Sequence, residues 1–209
     1  MSKRFAQLPE NMREALSTNA GIILGDFDPE APGEAAEIKA NILFATSGGV
    51  SVSCAMTTRD FGSDIDNCPK NTKELLEVEG YEASISGTAL TVKGDTAVSI
   101  FGAADKTTSE TGVETVQPRM TLKPEDFKTM WYVCPYGTMG GFVAIKLENA
   151  LSVGGFSMQS TDKDKGKFAF NYKGYSSIED PDKVPFTFYL KASAEAAAAQ
   201  VDLEEGEAA

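Results

Sequence analysis

A chain of 209 residues with 42% hydrophobic content is long enough to bury one good core, and all-β folds of this size commonly form a single domain. Nineteen basic residues stand against 31 acidic ones, a net charge of −12 that opposes binding to DNA, RNA or an anionic membrane. With no histidine, the usual general base and commonest metal ligand is missing, which removes most triad and zinc chemistries.

Residues 1–19 read as an arm, with Glu10 to Leu16 after Pro9 forming a short helix or an ordered extension. No apolar run follows Met1-Ser2-Lys3-Arg4-Phe5, so neither a signal peptide nor a membrane span is expected, and synthesis in a cytoplasm is. The first strand signal is Gly21-Ile22-Ile23-Leu24, ended by the turn chemistry of Gly25 to Pro29 and a Pro/Gly/Ala stretch to Gly33. Next comes an expected long hairpin with arms from Ile38 to Thr46 and from Val50 to Thr58, joined by Ser47-Gly48-Gly49. In its second arm Val50, Val52, Cys54 and Met56 share one face while Ser51, Ser53 and Thr57 share the other, so one side wants a core and the other water.

An acidic loop from Arg59 to Pro69 leads to Asn71-Thr72 and then to a strand in which Tyr81, Ala83 and Ile85 alternate with polar residues. Gly87 marks a phase shift to Leu90 and Val92, which suggests a bulge. Asp95 is placed to cap a short helix bearing Ala97, Ile100, Phe101 and Ala104 on one stripe. The stretch from Ala103 to Pro118 reads as a loop, and Pro124 with Glu125 and Asp126 signals a second helix. Strands follow where Val143, Ile145 and Leu147 alternate, where Phe156 to Thr161 and Lys167 to Tyr175 flank the turn 162–166, and at Pro185 to Leu190. The chain thus divides into an arm (1–19), a mainly β domain (20–191) and an acidic Ala/Glu-rich tail (192–209) expected to be disordered. The fold class expected is antiparallel β, sandwich or barrel-like, with one or two short helices. Five acids lie in the tail, so the rest of the chain still carries −7.

Motifs that suggest chemistry have better structural accounts. Ser160 and Lys163 match a Ser-x-x-Lys pattern but fall in a turn without companion motifs. Asp64-Ile65-Asp66 begins like a calcium loop, yet Pro69 stands where glycine is required and Leu75 where the bidentate glutamate is. Phe168, Phe170 and Tyr172 superficially match an RNA-stacking strand, but their shared face suits core packing and the acidic body lacks a basic field. Cys54, Cys68 and Cys134 are odd in number with no CxxC pair, which argues against a disulfide framework; Cys54 reads as a small buried hydrophobe. No catalytic residue, cofactor or metal site is expected.

Three longer stretches are more specific: Gly62-Ser63-Asp64-Ile65-Asp66-Asn67-Cys68-Pro69-Lys70-Asn71-Thr72-Lys73-Glu74-Leu75 with the strand from Tyr81 to Val92, the run from Gly140 to Ser157, and Asp162 to Tyr172. From about Ala20 to Leu190 the chain resembles the major tail tube protein of long-tailed phages and of prophages in Gram-positive bacteria. The resemblance implies a structural protein whose β core forms rings, commonly hexameric, stacked into a hollow tube through which genomic DNA passes. It implies a virion-tail location after synthesis in the host cytoplasm. Its partners would be further copies of itself, the tape-measure protein, the tail terminator and distal tail proteins, with only transient, non-specific contact to DNA and none to a membrane. On that footing the hairpin faces the lumen through Ser51, Ser53 and Thr57, and the loop carrying Phe61, Asp64, Ile65, Asp66 and Asn67 reaches a neighbouring subunit. The arm and the 103–118 loop are further stacking candidates. The alternative is a monomeric β-domain serving as a virion decoration or host-surface binding module, for which Trp131, Tyr132 and Tyr175 are the local aromatic candidates.

Overall fold

The computed structural model describes residues 19–137 and 140–192, with Met12, Leu16 and Ser17 before them. The expected tail and most of the expected arm lie outside the described residues. Leu16 and Ser17 are held to the body: the Gly137 amide donates to the Leu16 carbonyl at 3.0 Å and the Ser17 hydroxyl to the Pro135 carbonyl at 3.3 Å.

The described chain is mainly antiparallel β, as its alternation predicts. Its strands are β1 (Ile22–Leu24), β2 (Ile42–Phe44), β3 (Thr46–Asp60), β4 (Leu76–Ala89), β5 (Ala104–Thr108), β6 (Glu114–Pro118), β7 (Lys128–Tyr136), β8 (Gly141–Ser152), β9 (Ser157–Gln159), β10 (Lys167–Lys173) and β11 (Phe186–Lys191). Two helices, α1 (Ala35–Ala40) and α2 (Gly94–Phe101), interrupt them. The main sheet runs β2-β1-β7-β8-β10-β4-β3, with β11 added to β8 and β9 to β10; β5 and β6 form a separate hairpin.

β8 makes this a folded-over structure. Its first part pairs with β7 on one side and β11 on the other, while its last residues, Leu151 and Ser152, pair with β10. The strands β10-β4-β3 thereby turn back over the β7-β8-β11 face. Val52 of β3 and Phe186 of β11 both pack against the Cys134, Val143 and Ile145 cluster, and the main cluster joins Ile85, Phe170 and Tyr172 to Ile23, Met130 and Leu147. α2 closes one end: Ile100 is buried in that cluster, and the Ser99 and Tyr172 hydroxyls hydrogen-bond at 2.9 Å. The opposite face of β7-β8 is also covered, by Phe27 against Trp131 and Phe142. Burial on both faces explains why β7 shows no simple alternation.

Several expectations need correction. The long hairpin exists, but its arms are β3 and β4, not 38–46 and 50–58; residues 35–40 are helical and 42–44 pair with β1. Gly48 and Gly49, with φ of 76° and 89°, supply positive φ to a bulge inside β3 and not to a turn. The bulge expected at Gly87 is therefore on the opposite strand, and the inward phase Ala83, Ile85, Gly87, Ala89 is unbroken. Lys93, not Asp95, occupies the N-cap position of α2 and makes no side-chain cap hydrogen bond; Asp95 sits in the first turn, and Ala104 belongs to β5. The helix signalled by Pro124 is one 3-10 turn, Pro124–Asp126, and the stretch 103–118 contains the β5–β6 hairpin. Cys54 is half-buried, and Met56, expected on the core face, is exposed because that face outruns the body.

Candidate functional site

The β3–β4 hairpin is the feature that the fold does not use up. The two strands pair from Thr46↔Ala89 to Asp60↔Leu76, interrupted by the Gly48–Gly49 bulge on β3 and by Glu79 as an extra residue on β4 near the far end. On the inward face the near half, Val50, Val52 and Cys54 opposite Gly87, Ile85 and Ala83, packs against the body. Further out the same face carries Met56 opposite Tyr81, then Val78 and Leu76, and all four are between 40% and 54% exposed. Val78 and Leu76 lie opposite Thr58 and Asp60, and four large apolar side chains exposed in succession on one strand face make a candidate interaction surface.

The other face is wet throughout. Ser51 lies opposite Ser86, Ser53 opposite Ser84, Ala55 opposite Glu82, Thr57 opposite Gly80 and Arg59 opposite Glu77. β10 extends this face with Asn171 and Lys173, and the Lys173 ammonium is 3.0 Å from the Glu82 carboxylate. The Arg59 guanidinium lies 5.0 Å from the centroid of the Phe61 ring. Basic groups on this side are thus paired with an acid or laid on a ring, and small hydroxyls occupy the rest. Ser51, Ser53 and Thr57 do share the exposed face on which the sequence placed them, and the Thr57 hydroxyl donates to the Gly80 carbonyl at 3.1 Å.

The outer edge of β3 adds a third property. Among the described residues β3 pairs only with β4, so a 15-residue strand presents a long row of backbone donors and acceptors on one side. Strands average five or six residues, and long free edges are templates for further pairing. The bulge at Gly48–Gly49 limits the flat part. Gly87 opposite it has to be glycine, because a Cβ there would sit 2.9 Å from the Phe170 ring and 3.1 Å from the Gly49 carbonyl oxygen.

The loop at the hairpin tip is knitted into a compact knob. The Asp60 carboxylate accepts from the Gly62 amide at 2.8 Å and the Asn71 amide at 2.9 Å, and the Phe61 amide donates to the Leu75 carbonyl at 3.0 Å. Thr72 donates to the Pro69 carbonyl at 2.6 Å, and Asn67 and Asn71 take the positive φ the turns need. Phe61, Asp64, Ile65, Asp66 and Asn67 come together on this knob, the two apolar ones about half exposed. Sequence reading found these residues but passed over Leu76 and Val78, whose spacing of two is the visible signal.

Elsewhere the groups that would do chemistry are tied up or exposed. Ser160 and Lys163 lie in the exposed segment between β9 and β10. A cavity of about 380 Å³ beside α2 is lined by Leu43, Phe44, Thr96, Ser99, Lys128 and Met130 among others. In it Thr96 donates to the Leu43 carbonyl, Ser99 is bonded to Tyr172, and Asp95 is 2.5 Å from Lys106. Burial pushes the Cys54 thiol up, away from the reactive thiolate, and pushes the Tyr172 phenol up to about 12 despite the Ser99 hydroxyl. Among the described residues no group of three or more His, Cys, Asp or Glu is placed to hold a metal, and no helix is long and apolar enough to cross a membrane. Trp131 is buried between Phe27 and Tyr189 and offers no aromatic platform to a ligand. Neither the protein-family models nor the curated proteins compared with this chain give a match.

Proposed function

We propose that this chain is a structural virion protein that self-assembles into stacked rings, forming the hollow tail tube of a long-tailed phage through which genomic DNA passes. The observation that carries the reading is the β3–β4 hairpin, a two-faced ribbon with an uncovered apolar strip, a wet reverse side and a free edge. Neighbouring copies that add strands to one another would cover the strip and abolish the edge, which is how closed barrels avoid aggregation. The wet side then lines the channel. Its serines, Thr57 and Glu82, with Lys173 held by that glutamate, give phosphate few cations to displace counterions with, so duplex DNA slides past. The tip knob with Phe61 and Ile65 serves as a contact to the same or the next ring, and the tube's ends meet terminator, tape-measure and distal tail proteins.

Negative-stain microscopy of the purified protein tests this. Rings or tubes with an axial channel are expected. A particle that stays monomeric at high concentration, or one that holds duplex DNA tightly in moderate salt, would overturn it.

A further inference from the structure

The distal hairpin strip has a counterpart elsewhere on the same molecule. β11 pairs only with β8 among the described residues. Its Phe186 packs inward on the Val143 and Ile145 cluster that Val52 also meets, while Phe188 and Leu190, which follow at spacings of two on the same strand face, are 55% and 51% exposed. On β3 the matching progression runs from Val52, packed in that cluster, to Cys54 and then to exposed Met56. Each surface therefore leads outward from the same internal cluster, and neither is covered by the described residues. Charge agrees: residues 59–82 carry seven acids and three bases, whereas β11 itself carries one base, Lys191, and no acid.

We infer that the occupant of the distal strip is a second copy of this chain, docking through the Phe188 and Leu190 face of its β11. The contact is head to tail: the hairpin of one copy covers β11 of the next, and the unused hairpin and β11 at the two ends recruit further copies. Such a heterologous contact closes into a ring when its rotation allows. The inference rests on the assembly reading above and adds the surface that receives the hairpin.

Two single-site variants separate the ideas, Val78→Glu on the hairpin and Leu190→Glu on β11. Both positions are about half exposed, so far-UV circular dichroism and cooperative melting should match the parent. In sedimentation velocity the parent forms large assemblies and each variant alone stays monomeric, because the knob contact that both retain is too small to hold two copies by itself. An equimolar mixture of the two gives a heterodimer and nothing larger, because it contains one intact hairpin–β11 pair and two blocked ends. As a second measurement, Val78→Cys and Leu190→Cys copies form a disulfide-linked dimer on mixing under oxidation, and Ser51→Cys with Leu190→Cys does not. If the parent itself stays solitary, the tube reading fails together with this one. If Val78→Glu blocks assembly while Leu190→Glu leaves it intact, or if the mixture remains monomeric, the β11 acceptor is wrong and the tube reading stands.

Discussion

Replacing Phe61 and Ile65 together by alanine probes what the knob contributes to growth. The two side chains are 46% and 53% exposed, so close to half of the apolar surface of each is still in water in the isolated subunit. Full burial of such a side chain is worth about 1.5–3 kcal/mol, which leaves roughly 1 kcal/mol per residue for a neighbour to gain. Both together amount to roughly 2 kcal/mol per contact, which corresponds to a critical concentration for assembly raised about 30-fold. The subunit itself should lose only about 1 kcal/mol, a usual cost for a partly exposed position. The reason is that the knob is held by Asp60, Thr72 and backbone bonds, none of which involves the two deleted side chains. Pelleting over a concentration series, with the supernatant plateau read as the critical concentration, measures the effect; circular dichroism melting checks the fold. A plateau equal to that of the parent, with a folded subunit, would show that the knob touches no neighbour.

Three further outcomes follow from packing and charge. Gly87→Ala drives a Cβ against Phe170 and the Gly49 carbonyl oxygen, and urea unfolding should register a loss of about 1–3 kcal/mol. Tyr172→Phe removes the hydroxyl bonded to Ser99 and should cost about 1 kcal/mol. In the parent, absorbance titration should find one phenol ionising at about 12 that the variant lacks; since the folded pKa is raised, stability from the neutral phenol is intact below about pH 10 and is lost as pH rises toward 12. Glu148 is held below the usual carboxylate range by hydrogen bonds from Lys146 and Lys183, at 2.7 and 2.6 Å. Its contribution is present above the unfolded glutamate pKa and lost as pH falls through the lower folded value, so Glu148→Gln should flatten the acid limb of a stability–pH curve.

Period-two patterning carried most of the fold into view. β4, β8, β10 and β11 alternate or run apolar over lengths that admit few other readings, and the shared face of Phe168, Phe170 and Tyr172 is packed as its spacing implies. What misled was a glycine pair whose conformational freedom serves a bulge as readily as a turn. Once Gly48–Gly49 is taken for a turn, the partner of β3 is sought upstream, and the true partner beyond a knotty 15-residue loop is missed. β7 escaped because Trp131, Val133 and Cys134 meet packed surfaces on both sides, which erases alternation, and because Pro135 sits inside it. Of the candidate site, the knob and the serine face could be read from composition and phase. The uncovered reach of Met56, Leu76, Val78 and Tyr81 could not, because exposure depends on where the body ends, and that is decided by strands as remote as β8 and β11.

The arrangement of pairings also orders events during synthesis. β3 and β4 lie close in sequence and zip against each other, so this ribbon can form while later residues are still being made. The body it leans on cannot, since β1 waits more than a hundred residues for β7, and β8 is flanked only when β11 emerges near the end. On the proposed assembly, each nascent copy would therefore display its joining element before it owned the surface that receives one, and a polysome crowded with such half-made chains would have sticky arms but nowhere for them to settle until release.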